Sequence, residues 1–382
     1  MNTVLDDINK IKTIDKDSMF KILERFPEQC KEAIKLSKGL SIPREIRTGG
    51  KLSIKYVKPK NIVVAGMGGS AIGGTILKNW LKDRLTVPIE VCRSYHLPAY
   101  ANDKTLVLVV SYSGNTEETL SAYFEALEKQ CMILCITSGG LLHDFSKKLG
   151  VPIAELPSGY LPRFAIAYLF FPLVAYLQRL ELIHSIEDEI QDTIEGVTKL
   201  RDEVKIDTPE SLNISKKLAT GLEDTIPLIC GFDIYEGVAL RMKTQFNENA
   251  KIPAKAEFFP ELNHNETVGW TGLKNLLRNF SVVIIRDDYE ELEIQTRIDV
   301  TRSLVFDKYS RKVFVVSAKG RCKLSRIFYA MYVGDFTSLY LAILYRVNPA
   351  PVGIIDEVKS RLINKIDTIK NWEKSLNKFL EG

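Results

Sequence analysis

Short runs of apolar, often β-branched residues recur along this chain, each followed by a longer segment of helical period. NIVVAGMG, VPIEVC, TLVLVVSYS, MILCITS and PIAELP form the first series. Strands apolar along their whole length need cover on both faces, and the helical segments between them supply it, so the pattern predicts an α/β fold around a parallel sheet. The apolar helix LPRFAIAYLFFPLVAYLQRLEL follows, then the charged stretch SIEDEIQDTIEGVTKLRDEVK, read as a solvated helical connector with a domain junction near residue 190. The alternation then restarts with TIPLICGFD, PAKAEFF, FSVVIIRDD and RKVFVVSAKG and closes on the apolar helix DFTSLYLAILY. At 382 residues the chain is longer than one core usually grows. Two α/β halves are expected, each with a strand followed by a glycine-containing turn, GMGGS and GFDIYEG, as in a duplicated plan.

Composition narrows the function. A net charge of +4 is spread over interspersed acids and bases with no long basic block, so nucleic-acid binding is not expected. The N-terminus MNTVLDDINKIKTIDKDSMF has acids before any apolar run, and no run reaches 18 consecutive apolar residues, which argues against a signal peptide or membrane span and for a cytoplasmic protein. The six cysteines lack CxxC spacing and are read as reduced core residues. His96, His143, His184 and His264 are scattered, so no metal site is expected.

GMGGSAIGG follows the strand NIVVA directly. Glycine admits positive φ and lets a ligand press against main-chain N–H groups, which makes such a strand-to-helix turn suited to an anion. Gly66, Gly68 and Ala71 also fit the dinucleotide pattern GxGxxA, with Glu90 placed to meet a ribose hydroxyl, but the match is weak. A Walker A loop is excluded because no GKS or GKT follows. One apolar strand later, SYSGNTEETL places Ser111, Ser113 and Thr116 where a helix begins. Ligands of open α/β sheets bind outside the carboxyl ends of the strands, so this turn and Gly68, Gly69 and Ser70 can face one crevice and bind a phosphate monoester. The plain alternative is that Ser111 to Thr116 only cap a helix.

Taken together, GMGGSAIGG and SYSGNTEETL resemble the SIS domain, the sugar isomerase fold, and the resemblance extends over both halves. It implies two SIS-type doubly wound parallel-sheet domains, flavodoxin-like sandwiches, at residues 49–190 and 191–350. Helical N- and C-terminal segments, 1–48 and 351–382, flank them. The stretch RMKTQFNENAKIPAKAEFFPELNHNETVGW is similar to the NEN and ELNHNE motifs of the bifunctional phosphoglucose/phosphomannose isomerases of this superfamily. That resemblance implies interconversion of glucose 6-phosphate and mannose 6-phosphate with fructose 6-phosphate through a cis-enediol. One positioned carboxylate can carry the proton both ways, and a histidine can shuttle the ring-opening proton. By the same resemblance Glu248 is the enediol base, His264 opens the ring, Arg163 in YLPRFAI steadies the enediolate, and Lys359 in IIDEVKSRL lies near the ring oxygen. The histidine is expected from a neighbouring subunit, making the protein a homodimer. Between Asn348 and Lys359 there is no hydroxyl side chain to assist turning of the C2–C3 bond, so the glucose activity is the safer expectation.

Two other functions compete. An NAD(P)-dependent dehydrogenase would hold a dinucleotide on the first turn and have little use for SYSGNT. A sugar-phosphate-binding regulatory SIS protein usually adds a DNA-reading helix-turn-helix, and the first forty-odd residues show no basic recognition helix. A glutamine-dependent aminosugar synthase is disfavoured, since no catalytic amidotransferase half precedes the sugar domains. No cofactor is expected, because aldose–ketose isomerisation needs no redox partner. Carboxylates Glu257, Glu261 and Glu266 stand as alternatives to Glu248.

Overall fold

The computed structural model describes residues 4–48, 52–184 and 186–363, with five further positions between 372 and 380. The C-terminal helical segment expected over 351–382 lies largely outside the described residues beyond 363; before that point it contains the helix Gly353–Ile363. By contact, the chain divides into two compact units: Glu28–Ser185 with Val352–Gly382, and Met1–Pro27 with Ile186–Pro351. The N-terminal helices are thus shared out, with Met19–Glu24 in one unit and most of Phe26–Ser37 in the other.

The strands among the described residues are β1 Glu45–Arg47, β2 Ser53–Lys55, β3 Asn61–Ala65, β4 Ile89–Cys92, β5 Thr105–Val110, β6 Met132–Thr137, β7 Ile153–Glu155, β8 Ile226–Phe232, β9 Lys255–Phe259, β10 Phe280–Arg286 and β11 Lys312–Ser317. β1 and β2 form a small antiparallel pair. The unit containing residues 28–185 is built on a five-stranded parallel sheet in the order β4-β3-β5-β6-β7. The other unit holds a four-stranded parallel sheet in the order β11-β10-β8-β9. Numbered within each unit, these are the doubly wound orders 2-1-3-4-5 and 2-1-3-4, so one plan does occur twice. In such a sheet the order reverses where strands one and three lie side by side, and the carboxyl ends there open a crevice. The reversal falls at β3/β5 in the first sheet and at β8/β10 in the second. Every residue of β5 and β6 is buried, as unbroken apolar runs require when helices cover both faces.

The second sheet's unit is organised around the 22-residue helix Lys323–Leu344. It is long and apolar enough to cross a membrane, yet 94% of its most apolar window is buried inside the protein. The expected apolar stretch DFTSLYLAILY is only its second half. Aromatic rings of the N-terminal helix region pack on it, Phe26 against Tyr332 at 5.1 Å and Phe20 against Tyr340 at 4.9 Å between centroids. The charged stretch after residue 185 is not a solvated connector. It forms the helix Glu187–Val204, which buries Thr193, Ile194, Val197, Leu200 and Val204 and packs along Lys323–Leu344. Steps of three and four between those apolar positions were the signal; nine acids and bases in the same 18 residues concealed it.

Cys30, Cys92, Cys131, Cys135 and Cys230 are buried free thiols, as expected, whereas Cys322 is only partly buried and has a different task. Its Sγ accepts from the N–H of Ser325 at 3.3 Å and caps the long helix. Asp192, on the neighbouring helix, accepts from the N–H groups of Arg321 (3.0 Å) and Cys322 (3.1 Å) and from Arg321 Nε (2.7 Å). Burial works against this carboxylate, but its bonds to Ser325, Arg321 and Cys322 outweigh that and hold its pKa at about 2. Because the folded value lies below the ordinary 3.8, the stabilisation is complete above about pH 4 and disappears as pH falls toward 2. Asp192→Ala should therefore lower unfolding stability by about 1–2 kcal/mol at pH 7. Urea midpoints of the variant and the parent should draw together as pH falls from 4 through about 2, and a gap that does not shrink over that range would contradict this reading.

Candidate active site

At the reversal point of the first sheet, the chain leaves β3 through Gly66 and Met67 and enters the helix Gly68–Leu81 at once. Methionine at the N-cap position makes no side-chain cap bond, so the N–H groups of Gly68 and Gly69 have no acceptor from that residue. Gly68 adopts φ +49°, and a Cβ added there would meet nothing within 4 Å, so the turn is open on its outer side. Gly69 is closed on its other side: a Cβ there would lie 3.1 Å from the carbonyl of Pro162 and 3.2 Å from the nitrogen of Arg163. That close approach brings the short 3-10 turn Pro162–Phe164 against the glycine turn. Arg163 itself is 3% exposed, which requires interactions that satisfy its charge.

The turn after β5 is stitched to this one. Ser70 Oγ accepts from the N–H of Tyr112 at 3.2 Å. Ser111 Oγ donates to Thr116 Oγ1 at 3.1 Å and accepts from the N–H of Gly114 at 3.1 Å, while Ser113 Oγ accepts from the N–H of Asn115 at 3.3 Å. Gly114 has φ +69°, and a Cβ there would lie 1.8 Å from the carbonyl oxygen of Gly139, so only glycine fits. Thr116 occupies the N-cap position of the helix Glu117–Glu128, but its side chain does not cap that helix. The plain helix-cap alternative therefore fails for Thr116: its hydroxyl turns toward Ser111. Ser113 is exposed, Ser111 is buried and Thr116 is intermediate, a graded set of hydroxyls beside two helix N-termini. Such a set can donate several neutral hydrogen bonds to one anion. Glu90, proposed for a ribose, instead accepts from the Tyr100 hydroxyl at 2.5 Å.

The corresponding point of the second sheet is occupied by its own side chains. Tyr235 OH donates to Asp287 Oδ2 at 2.6 Å and Arg326 Nε donates to the same oxygen at 2.9 Å. A polar pocket of about 490 Å³ beside it is lined by four carboxylates, Asp287, Asp288, Glu290 and Asp299, against two arginines, Arg286 and Arg302. An excess of carboxylates repels a phosphate. The GFDIYEG turn is thus not a second copy of GMGGS in its chemistry.

Glu248 lies in the second sheet's unit, directly after the helix Glu236–Gln245. The chain there widens into one π turn, Phe246–Ala250, which ends at Lys251 with φ +61°. π turns inside helices concentrate at functional sites. Glu248 precedes the amino end of β9, and His264 comes after its carboxyl end, following the 3-10 turn Glu261–Asn263, with its side chain exposed. Glu257, within β9, has its carboxyl pushed up by burial and by Glu266, with Lys255 opposing. It lies on an edge strand, near which Lys255 Nζ and Glu266 Oε1 are 3.9 Å apart. Lys359 is exposed on the helix Gly353–Ile363. The structure therefore gathers Gly68, Gly69, Ser70, Ser111, Ser113, Thr116 and the Arg163 turn in one unit, while Glu248 and His264 belong to the other.

The sheet order and the two stitched turns define a protein of the SIS class. A model of the SIS domain matches residues 55–141, and one described as the bacterial phospho-glucose isomerase C-terminal SIS domain matches residues 212–362. The chain is 39% identical over 345 residues to the bifunctional phosphoglucose/phosphomannose isomerase of Caldicellulosiruptor bescii, covering 90% of this chain and 98% of that one. It is 37% identical to the protein of the same description from Thermoplasma acidophilum, over 79% of this chain and 89% of the relative. A glucose-6-phosphate isomerase like protein from Thermus thermophilus shares the fold with a TM-score of 0.59 and 16% identity, covering 92% of this chain and 98% of that one. The chain belongs to the family of bifunctional phosphoglucose/phosphomannose isomerases.

Proposed function

We propose that this protein is an aldose–ketose isomerase that interconverts glucose 6-phosphate and mannose 6-phosphate with fructose 6-phosphate through a cis-enediol. The observation that carries the reading is the pair of turns at the β3/β5 reversal, joined by the Tyr112-to-Ser70 hydrogen bond. Gly68, Gly69, Ser70, Ser111, Ser113 and Thr116 receive the phosphate through N–H and hydroxyl donors. Neutral donors suit a dianion that must also leave, since no lysine or arginine is needed in the turn itself.

Once the ring is open, the Glu248 carboxylate takes the proton from C2 of the aldose, and negative charge develops on the substrate oxygens. The O2 hydroxyl proton passes to O1, and Glu248 returns its proton to C1 to leave the C2 carbonyl of the ketose. Its place on a π turn supports this role. Arg163, buried and packed against Gly69, is the cation that lowers the cost of the enediolate. His264 moves the ring-opening proton, and its exposure suits donation from a second copy of the chain, which makes the working unit a homodimer. Lys359 near the ring oxygen rests on the family resemblance alone. Only protons are relocated, so the reaction requires no hydride acceptor. The chemistry assigned to these residues is that of a cytoplasmic hexose-phosphate enzyme.

The test is a coupled assay with glucose 6-phosphate, mannose 6-phosphate and fructose 6-phosphate, run without added metal or nucleotide. Turnover of both aldoses to fructose 6-phosphate is expected. A mannose rate at background would reduce the protein to a single-aldose isomerase, and no turnover of either would refute the reading.

A further inference from the structure

Beneath the π turn lies a buried polar chain that the catalytic roles above do not use. Arg241, Gln245 and Asn249 recur at intervals of four and are 2%, 1% and 0% exposed, so they form one stripe along the helix and into the turn. They face the long helix Lys323–Leu344 at Asp335 and Ser338, which are 1% and 0% exposed. Arg241 grips Asp335 with two nitrogens, Nε to Oδ1 at 3.0 Å and Nη2 to Oδ2 at 2.8 Å. Gln245 Nε2 donates to Asp335 Oδ1 at 3.0 Å. Asn249 Nδ2 donates to Ser338 Oγ at 2.8 Å, and Ser338 Oγ donates to the carbonyl of Asp335 at 2.6 Å. Gly334 permits the approach, since a Cβ there would lie 2.6 Å from Met242 Cε.

A buried ion pair of this kind is poor at adding stability, because desolvation of both charges consumes most of their attraction, and well-packed apolar residues would often do as well. What it does supply is direction: each bond has a fixed length and angle. Here the first two contacts fix the α-helical register up to Gln245, and the third fixes the residue next to Glu248 after the register has widened. The helix cannot rewind from π to α without moving Asn249 off Ser338.

We propose that Asp335 and Ser338, acting through Arg241, Gln245 and Asn249, are positioning residues that hold the π turn and thereby aim the Glu248 carboxylate. The inference rests on the reading of Glu248 as the base. A misplacement of about 1 Å in a reacting group can cost on the order of 100-fold in rate.

The test uses the full-length enzyme. Ser338→Ala should lower kcat by roughly 10- to 100-fold with the KM for fructose 6-phosphate and the cooperative urea transition retained. Ser338→Thr, which keeps the hydroxyl, should recover most of the loss. Asn249→Ala should lower kcat similarly, and the double variant should be no slower than Ser338→Ala, because both delete the bond between these two side chains. In a Glu248→Gln background, Ser338→Ala should have no further effect on the residual rate. If Ser338→Ala loses its cooperative transition, Gln245→Met is read in its place, since it removes one bond to Asp335 at nearly constant volume. Wild-type kcat in a folded Ser338→Ala enzyme, with Glu248→Gln inactive, would overturn the positioning inference alone. Full turnover in Glu248→Gln would remove the base assignment, and the inference with it.

Discussion

Glu248→Gln should leave a folded enzyme that binds fructose 6-phosphate with an unchanged KM and turns it over about 10² to 10⁴ times more slowly. The substitution keeps the side chain's length and its carbonyl oxygen, so the contacts that hold the π turn are preserved. It removes only the capacity to accept a proton. A loss of that size corresponds to roughly 3–5 kcal/mol of transition-state stabilisation. An unaltered KM separates it from damage to substrate binding, because a group that acts only in the transition state changes kcat and kcat/KM together. An independent readout is exchange of the C1 proton of fructose 6-phosphate with D2O, followed by NMR, which reports proton abstraction even when no product accumulates. Exchange and turnover should fall together. If the variant keeps wild-type turnover, the base is another carboxylate, and Glu257, whose carboxyl is already pushed up by burial, becomes the first candidate.

The sheets were legible because their strands hold unbroken apolar runs: IVVA in β3, LVLVV in β5 and VVII in β10. The two turns proposed to receive the phosphate were legible for a different reason, namely that glycines and hydroxyls gather at the carboxyl ends of two strands. What the sequence concealed depends on partners far away along the chain. Arg241 and Asp335 are 94 residues apart, and nothing local to either announces a buried pair. A trace was present all the same. Asp335, Thr337 and Ser338 interrupt the long apolar run of their helix, and Arg241, Gln245 and Asn249 repeat at intervals of four, so each stripe needed a polar partner. The π turn was hidden because NEN reads as an ordinary polar helix end; widening by one residue is decided by the packing on either side. The helix Glu187–Val204 was misread because its charges outnumber its apolar stripe, although the stripe alone decides which face is buried. The second glycine turn misled in the opposite sense: beside it Tyr235 and Arg326 both bond the Asp287 carboxylate, whose negative charge disfavours an anion.

Two inactive variants should make an active enzyme when their subunits are combined. If His264 of one chain serves the Glu248 of its partner, each dimer has two sites, and each site draws one residue from each chain. In a mixed dimer of Glu248→Gln with His264→Ala, one site receives both defects and the other receives none. Random exchange makes about half of all dimers mixed, and each carries one sound site in two, so activity should rise from background to roughly a quarter of wild type. Co-expression with two affinity tags isolates the mixed dimer, whose activity per dimer should approach one half. Glu248 comes before β9 and His264 follows it in an exposed turn, where a second copy of the chain can reach it. With each variant inactive by itself, verified mixed dimers that stay at background would show that His264 serves its own chain. The homodimer would then lose its catalytic rationale, while the phosphate turns and the Glu248 assignment would stand unaffected.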